Sequence, residues 1–543
     1  MTTTAAPNAT GPFSASVASA RSRLVPPMPR PAWAGWVGAV LVALFAGVLR
    51  FIRLGHPPDI YFDETYYAKN AFSLWEFGYE HQTLENADTL LARGDQAIWS
   101  GGADFVVHPP LAKWVIALGD WVWGLLPFGA SVSPTGWRVA AAVFGALSVL
   151  IMVRIALRMT RSWLLGCTAG LILALDGLHF TLSRIAMVDM FLAFWILAGF
   201  GCLVIDRDRA RARLSALTDD GAAAAGWLGM RWWRIAAGLC LGLAVGTKWS
   251  ALFYLAAFGL MTVAWDYGAR RSAGQQRAVG RWFLFDAVPA FVQTVVVAAV
   301  AYLATWSGWL VTSGGYGRQW AAEQGFGAST GLPGWILGPL NALFSLAHYH
   351  VQMLTFHNGL SKPHDYASRP WEWLIMRTPV AFYYEGEETT CGAAKCSSTI
   401  LNLGTPAVWW LSILALLVMF GWWVTYRDWR AGAVLLGFSA GLLPWFAFPE
   451  RTMFVFYALP MLPFLVLAIV LALGLAMGPA GGGPGYSPWR RVLGGMVYGV
   501  VVLLIVANFT YIYPILSAET IPYESWADRM WFRTWIYGNG GPE

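Results

Sequence analysis

Trp33-Ala-Gly-Trp-Val-Gly-Ala-Val-Leu-Val-Ala-Leu-Phe-Ala-Gly-Val-Leu-Arg-Phe-Ile-Arg-Leu54 is followed, a few residues on, by Ile60-Tyr-Phe-Asp-Glu-Thr-Tyr66. The first stretch is an apolar run long enough to cross a bilayer, which takes about 20 residues. The second puts two adjacent carboxylates, Asp63 and Glu64, just past its end. A carboxylate at the mouth of a membrane bundle is costly to dehydrate. Chemistry on a lipid-borne substrate at the membrane boundary is a reason for such a pair to be there.

The rest of the chain extends that reading. Of 543 residues, 57% are hydrophobic and only 12% charged, and mean hydropathy is +0.52. A soluble protein of this size would be about one-quarter charged. Thirty-two tryptophans suit the interfacial belts of a membrane protein. The net charge of +6 comes from arginines in short loops. No basic face interleaved with aromatics points to nucleic acid. Residues 1–32, with Arg21, Arg23 and Arg30, read as a disordered cytoplasmic tail and not as a cleaved signal.

Apolar runs near 33–54, 135–157, 162–179, 184–205, 232–246, 247–265, 282–306, 405–425, 431–448, 452–475 and 492–513 are the expected spans. The stretch 111–127 is apolar too, but it opens on Pro109-Pro110 and carries Lys113 and Asp120. Arginines concentrate in 206–234 and 266–281, and recur at Arg158/Arg161, Arg427/Arg430 and Arg490/Arg491. All fall on one side, the cytoplasmic one, only if 111–127 lies along the outer surface. The expected architecture is therefore an all-α polytopic membrane protein with about eleven spans in the 33–513 region and an external tail, 514–543. Two large outer loops result, 55–134 and 307–404. All five lysines fall outside as well.

Several motifs in the outer segments carry candidate chemistry. Asp63–Glu64 suits a helix first turn and equally a general base, because a hydroxyl nucleophile needs a proton acceptor. His108-Pro-Pro-Leu-Ala-Lys113 opens a helix and offers a histidine and a lysine to an anionic headgroup. Arg138 and Lys248 stand at span ends as fixed positive charges for a phosphate or as snorkelling cations. Arg184 and Asp189, five residues apart, suggest an ion pair or a part in the site; Glu450–Arg451 reads as a local pair or likewise as part of it. In the second loop, His348, His350, His357, His364, Arg369 and Trp371 suggest a polar, aromatic wall. Their spacing matches no strong zinc pattern. Cys391 and Cys396, in an external polar loop, are read as a disulfide, with free thiols or a metal site as the alternative.

Phe62-Asp-Glu64, His108-Pro-Pro-Leu-Ala-Lys113, Trp137-Arg138, Arg184…Asp189, Lys248-Trp249 and His364-Asp-Tyr-Ala-Ser-Arg-Pro-Trp371 together resemble the protein O-mannosyltransferases, in particular their actinobacterial branch. The resemblance runs from about residue 40 to about 515. It implies the GT-C membrane glycosyltransferase fold, a polyprenyl-phosphate-mannose donor, and Ser or Thr acceptors on secreted proteins emerging from the export translocon. It further implies an inverting reaction at the extracytoplasmic face of the plasma membrane. By matched position, Arg50, Asp63, Glu64 and Arg138 correspond to important residues of the family. The family's His-Pro-Tyr turn is here His364-Asp365-Tyr366.

The resulting expectation has Asp63 as base and Glu64 beside it. Arg50, Arg138, Lys248, His108, Lys113 and Arg184 hold the donor phosphate or sugar, and His350, His357, His364, Arg369 and Trp371 form the wall. No cofactor or metal cage is legible, and a divalent cation near the carboxylates is left open. Another GT-C transferase acting on lipid or glycan is the alternative. A transporter would show internal repeats and mid-membrane charges, which are not evident here.

Overall fold

A computed structural model describes residues 28–29, 31–219, 226–273, 279–386, 389–478 and 487–540. The tail read as disordered lies almost wholly outside them. Among the described residues, nine helices are long and apolar enough to cross a bilayer, and Trp163–Ala174 and Trp232–Val245 are shorter apolar helices. Each expected span coincides with one of these eleven, with shifted ends.

The shifts have local causes. The run 162–179 stops at Ala174 because Asp176 caps a separate short helix, Gly177–Leu182, accepting from the His179 amide at 3.1 Å. The helix Val188–Asp219 outruns its apolar segment, because its arginine-rich end continues with good helix formers. Pro460 and Pro463 follow closely on one another, and Val455–Met461 is a 3-10 turn leading into the helix Leu462–Met477. Ser133 caps Pro134–Thr160, accepting from the Gly136 amide at 3.1 Å, with Pro134 at the first helical position.

The centre of the bundle is formed by the helices whose apolar residues are hidden all round. In Val455–Met477, 83% of the most apolar window is buried, against 17% in both Ala32–Phe51 and Pro488–Leu516. The latter two are therefore peripheral, turning leucine, valine and tryptophan outward.

At the Asp63 end the loops are structured. The first holds the helix Glu64–Phe77, a small hairpin (His81–Thr83 with Trp99–Ala103) and the helix Leu111–Gly124. That last helix packs on Pro134–Thr160. It keeps Leu118, Trp121 and Val122 exposed while Lys113 is buried. The second loop holds the helix Gly334–Gly359 and the antiparallel strands Val380–Glu385 and Cys396–Asn402. Cys391 and Cys396 are disulfide-bonded in the turn between these strands.

The tail folds back over this layer. Ile521–Pro522 adds a third strand, Trp526 Nε1 donates to Thr399 Oγ1 (2.7 Å), and Trp535 Nε1 donates to the Met376 carbonyl (2.8 Å). Trp535 is buried. Its replacement by alanine is expected to cost about 3–5 kcal/mol, read as a lowered melting temperature of the detergent-solubilised protein.

Candidate functional site

Asp63 and Glu64 begin one helix and point to different neighbours, since successive helical residues are about 100° apart. Phe62, in the left-handed region at φ 52°, makes the turn that starts the helix. Glu64 is fully buried. It takes Nε and Nη2 of Arg138, both at 2.8 Å, and the Ala186 amide at 3.0 Å. Arg138 is fully buried too. Its remaining N–H groups go to the carbonyls of Pro57 (2.8 Å), Asp59 (2.7 Å) and Leu54 (3.3 Å), and its guanidinium lies 4.6 Å from the centre of the Tyr61 ring. A planar donor fork suits this bidentate clamp. It ties the chain 54–64 to the second long helix.

Asp63 occupies the N-cap position but makes no capping hydrogen bond with its side chain. Burial raises its carboxyl to about 6; the nearby Asp189 charge adds to this and the Lys248 ammonium works against it. Lys248 Nζ is 2.8 Å from Asp189 Oδ1, while Asp189 Oδ2 is buried without a hydrogen-bond partner. The ammonium also lies 4.2 Å from the centre of the Tyr457 ring. Burial disfavours the Lys248 charge, yet Asp189 and Tyr457 more than offset it, and its pKa lies above the ordinary lysine value.

Lys248 opens onto a pocket of ≈ 190 Å³. His108, Trp249, His357 and Arg451 line its polar side, and Leu252, Phe253, Leu354, Trp445 and Phe448 the apolar one. The His108 and His357 rings are 5.4 Å apart. His357 Nε2 is 2.9 Å from the Val107 carbonyl, so that nitrogen carries the proton and Nδ1 accepts from Arg451 Nη2 at 3.2 Å. Burial and then Arg451 hold His357 down at about 4. Burial, then Lys248 and His357, hold His108 well below the ordinary histidine value. Both rings are neutral at pH 7, and the cations here are Lys248 and Arg451.

The other residues brought forward by the sequence lie elsewhere. Arg50 is buried in Ala32–Phe51, with Nη2 2.7 Å from His179 Nδ1. Arg184 donates to the carbonyls of Arg50 (2.8 Å), Ile52 (2.6 Å) and Arg53 (3.2 Å). It thereby closes the C-terminal end of that first helix, whose last carbonyls lack helical donors. Lys113 is paired with Glu80 and donates to the His108 carbonyl at 3.0 Å. It thus holds the His108 turn from behind. His350 sits between the Tyr302 hydroxyl and the Leu346 carbonyl, 5.6 Å ring to ring from Trp249.

His364, Arg369 and Trp371 do not line the pocket: they contact Phe454, the Pro449 carbonyl and Phe446, and Trp371 is 60% exposed. Among the described residues no group of three or more His, Cys, Asp or Glu is placed to hold a metal ion.

Two pairings suggested by proximity in sequence are replaced by longer-range ones. Arg184 caps a helix and Asp189 pairs with Lys248; Arg451 bonds His357, not Glu450. Tyr67, whose ring is 6.4 Å from His108, and Tyr457 complete the surround. No spacing rule singles these out, because each reaches the site from a different helix.

The chain matches two family models. Residues 99–288 match "Dolichyl-phosphate-mannose-protein mannosyltransferase", and residues 343–535 match the C-terminal four-transmembrane region of protein-O-mannosyltransferase. It is 36% identical over 517 residues to a polyprenol-phosphate-mannose–protein mannosyltransferase of Mycolicibacterium smegmatis, covering 92% of this chain and 93% of that protein. The protein of the same name from Corynebacterium glutamicum is 31% identical over 521 residues, covering 91% and 92%. In fold, the chain superposes on a chain of the Saccharomyces cerevisiae Pmt1–Pmt2 complex bound to the sugar donor, with TM-score 0.68 and 15% identity over 95% of this chain and 94% of that one. The fold is thus GT-C, and the chain belongs to the protein O-mannosyltransferase family.

Proposed function

We propose that this protein transfers mannose from a polyprenyl-phosphate-mannose donor to Ser or Thr hydroxyls of exported proteins. One observation carries the reading: Asp63 is a carboxylate with no capping duty, next to the Lys248–Asp189 pair and a pocket that is cationic at one side and apolar at the other. A lipid phosphate has those two needs.

In the proposed reaction Asp63 takes the proton of the acceptor hydroxyl as its oxygen attacks the anomeric carbon. The carbon–oxygen bond to phosphate breaks on the opposite face, so the configuration inverts. Lys248 and Arg451 stabilise the charge that develops on the departing phosphate. The first isoprene units lie against Leu252, Phe253, Leu354 and Phe448. Glu64, Arg138, Arg50, Arg184 and Lys113 act as positioning residues, because each is buried and hydrogen-bonded to the protein itself, Arg50 through its Nη atoms. In this reading the chain crosses the plasma membrane eleven times with its N-terminus inside, and the site works at the extracytoplasmic face, within reach of a chain leaving the translocon.

Purified protein, the mannosyl lipid and a Ser/Thr-rich peptide should yield a peptide carrying one hexose on a hydroxyl, identified by mass spectrometry. Transfer only to a lipid or glycan acceptor would overturn the reading. The pH profile is a second check. A base works deprotonated, so with the Asp63 carboxyl raised to about 6, kcat/KM should fall tenfold per pH unit below about 6 and level off above it. A profile flat down to pH 4 would show that no base with a pKa near 6 acts in the rate-limiting step.

A further inference from the structure

A second site lies at the other end of the bundle. The helix Val188–Asp219 carries Asp189 near one end and Arg207 about 27 Å further along its axis. There a cleft of ≈ 840 Å³ opens between that helix and Ala251–Ser272, Pro406–Tyr426 and Trp429–Leu442. Arg207, Arg211 and Arg427 line its mouth together with Trp265, Trp423 and Trp429. Its apolar lining includes Met261, Ala264, Phe420, Leu435 and Leu436.

Two of these arginines, Arg207 and Arg427, are only weakly countered. Asp428, the one acid in the lining, is held by Arg430 Nε and Nη2 at 3.0 and 2.8 Å. Arg207 reaches Asp208 only at 3.7 Å, and that carboxylate already takes Arg158 (3.0 Å) and Arg161 (2.9 Å). The Arg207 Nε is buried without a hydrogen-bond partner, and its guanidinium lies 3.8 Å from the centre of the Trp429 ring. Arg427 sits in the left-handed position after its helix (φ 52°), 4.9 Å from the Trp423 ring, with no ion pair among the described residues. Cations stacked on tryptophan above an apolar slot match a phosphate with an acyl chain below it.

We propose that this cleft binds an anionic glycerophospholipid of the leaflet opposite the reaction site. The phosphodiester meets Arg207 and Arg427, and one acyl chain runs along Met261, Leu435 and Leu436. Tryptophan at headgroup depth and basic groups facing an anionic leaflet both favour this occupant. The site is independent of the transfer reaction.

Native mass spectrometry of the full-length protein from nanodiscs tests it, with phosphatidylglycerol, phosphatidylcholine, undecaprenyl phosphate and inorganic phosphate as separate probes. The wild type should retain phosphatidylglycerol, and the Arg207→Gln/Arg427→Gln variant should retain it at least about tenfold less, since each substitution removes a charge-assisted hydrogen bond to the phosphodiester. Gly268 lines the cleft, and a Cβ there meets nothing within 4 Å. Gly268→Phe should therefore fill the slot and cause a like loss with the arginines in place, even if the double variant folds poorly. Equal retention of phosphatidylglycerol and phosphatidylcholine, or unchanged retention in Gly268→Phe, overturns the proposal. Preferential retention of undecaprenyl phosphate, or of inorganic phosphate alone, overturns the glycerophospholipid assignment.

Discussion

Asp63→Asn protein is expected to bind the mannosyl lipid normally and to transfer mannose roughly 10²–10⁴-fold more slowly than the wild type. The amide keeps the shape of the carboxylate and cannot take the hydroxyl proton. Because the Asp63 side chain makes no capping hydrogen bond, the substitution removes no fold-supporting contact of that kind. It also removes a carboxylate whose pKa burial has raised. Such a group is protonated more readily folded than unfolded, so it works against stability at neutral pH. The variant should melt at the wild-type temperature or slightly above it. A kcat loss with unchanged melting and donor affinity separates the loss of a base from the loss of a scaffold.

Arg138→Met should behave in the opposite way. Glu64 and Arg138 are each fully buried and bonded in a two-pronged pair. Removing the cation strands a carboxylate in the protein interior, at a cost of about 3–5 kcal/mol. Three backbone carbonyls, of Leu54, Pro57 and Asp59, lose their donor at the same time. The expected result is a protein that melts many degrees lower and loses activity through a displaced Asp63. In Glu64→Gln/Arg138→Met the stranded charge is gone, and melting should recover part of the way. If Arg138→Met melted like the wild type and lost only donor affinity, the arginine would instead be a phosphate ligand.

The contrast between these neighbours marks how far the sequence is legible. Hydropathy located every helix apolar and long enough to cross a bilayer, because burying apolar side chains there requires continuous runs, but not the 26-residue helix Gly334–Gly359 of the second loop. It located their ends less well, since Asp176, Pro460 and Pro463 act through caps and missing donors, not through hydropathy. Asp63 and Glu64 could be singled out as polar groups in an apolar setting. Their division of labour could not, because it depends on which way each faces once the helix is wound. The same holds for the cations. Arg50, Arg138, Arg184 and Lys113 look like phosphate ligands in print. Their partners are carbonyls, His179, Glu64 and Glu80, brought close by folding. Lys248 and Arg451 are left facing the pocket, the second reading in sequence as half of a local pair with Glu450. Asp189 lies 59 residues from the lysine it contacts.

The central claim is that the lipid phosphate sits at Lys248 and Arg451 within reach of Asp63. A polyprenyl-phosphate-mannose analogue with a photoreactive group in its first isoprene unit, cross-linked to the purified protein and mapped by peptide sequencing, tests this directly. Labelling is expected at Leu252, Phe253, Leu354 or Phe448. Labelling confined to Trp265, Trp423 or Leu435, at the far end of the bundle, would contradict it.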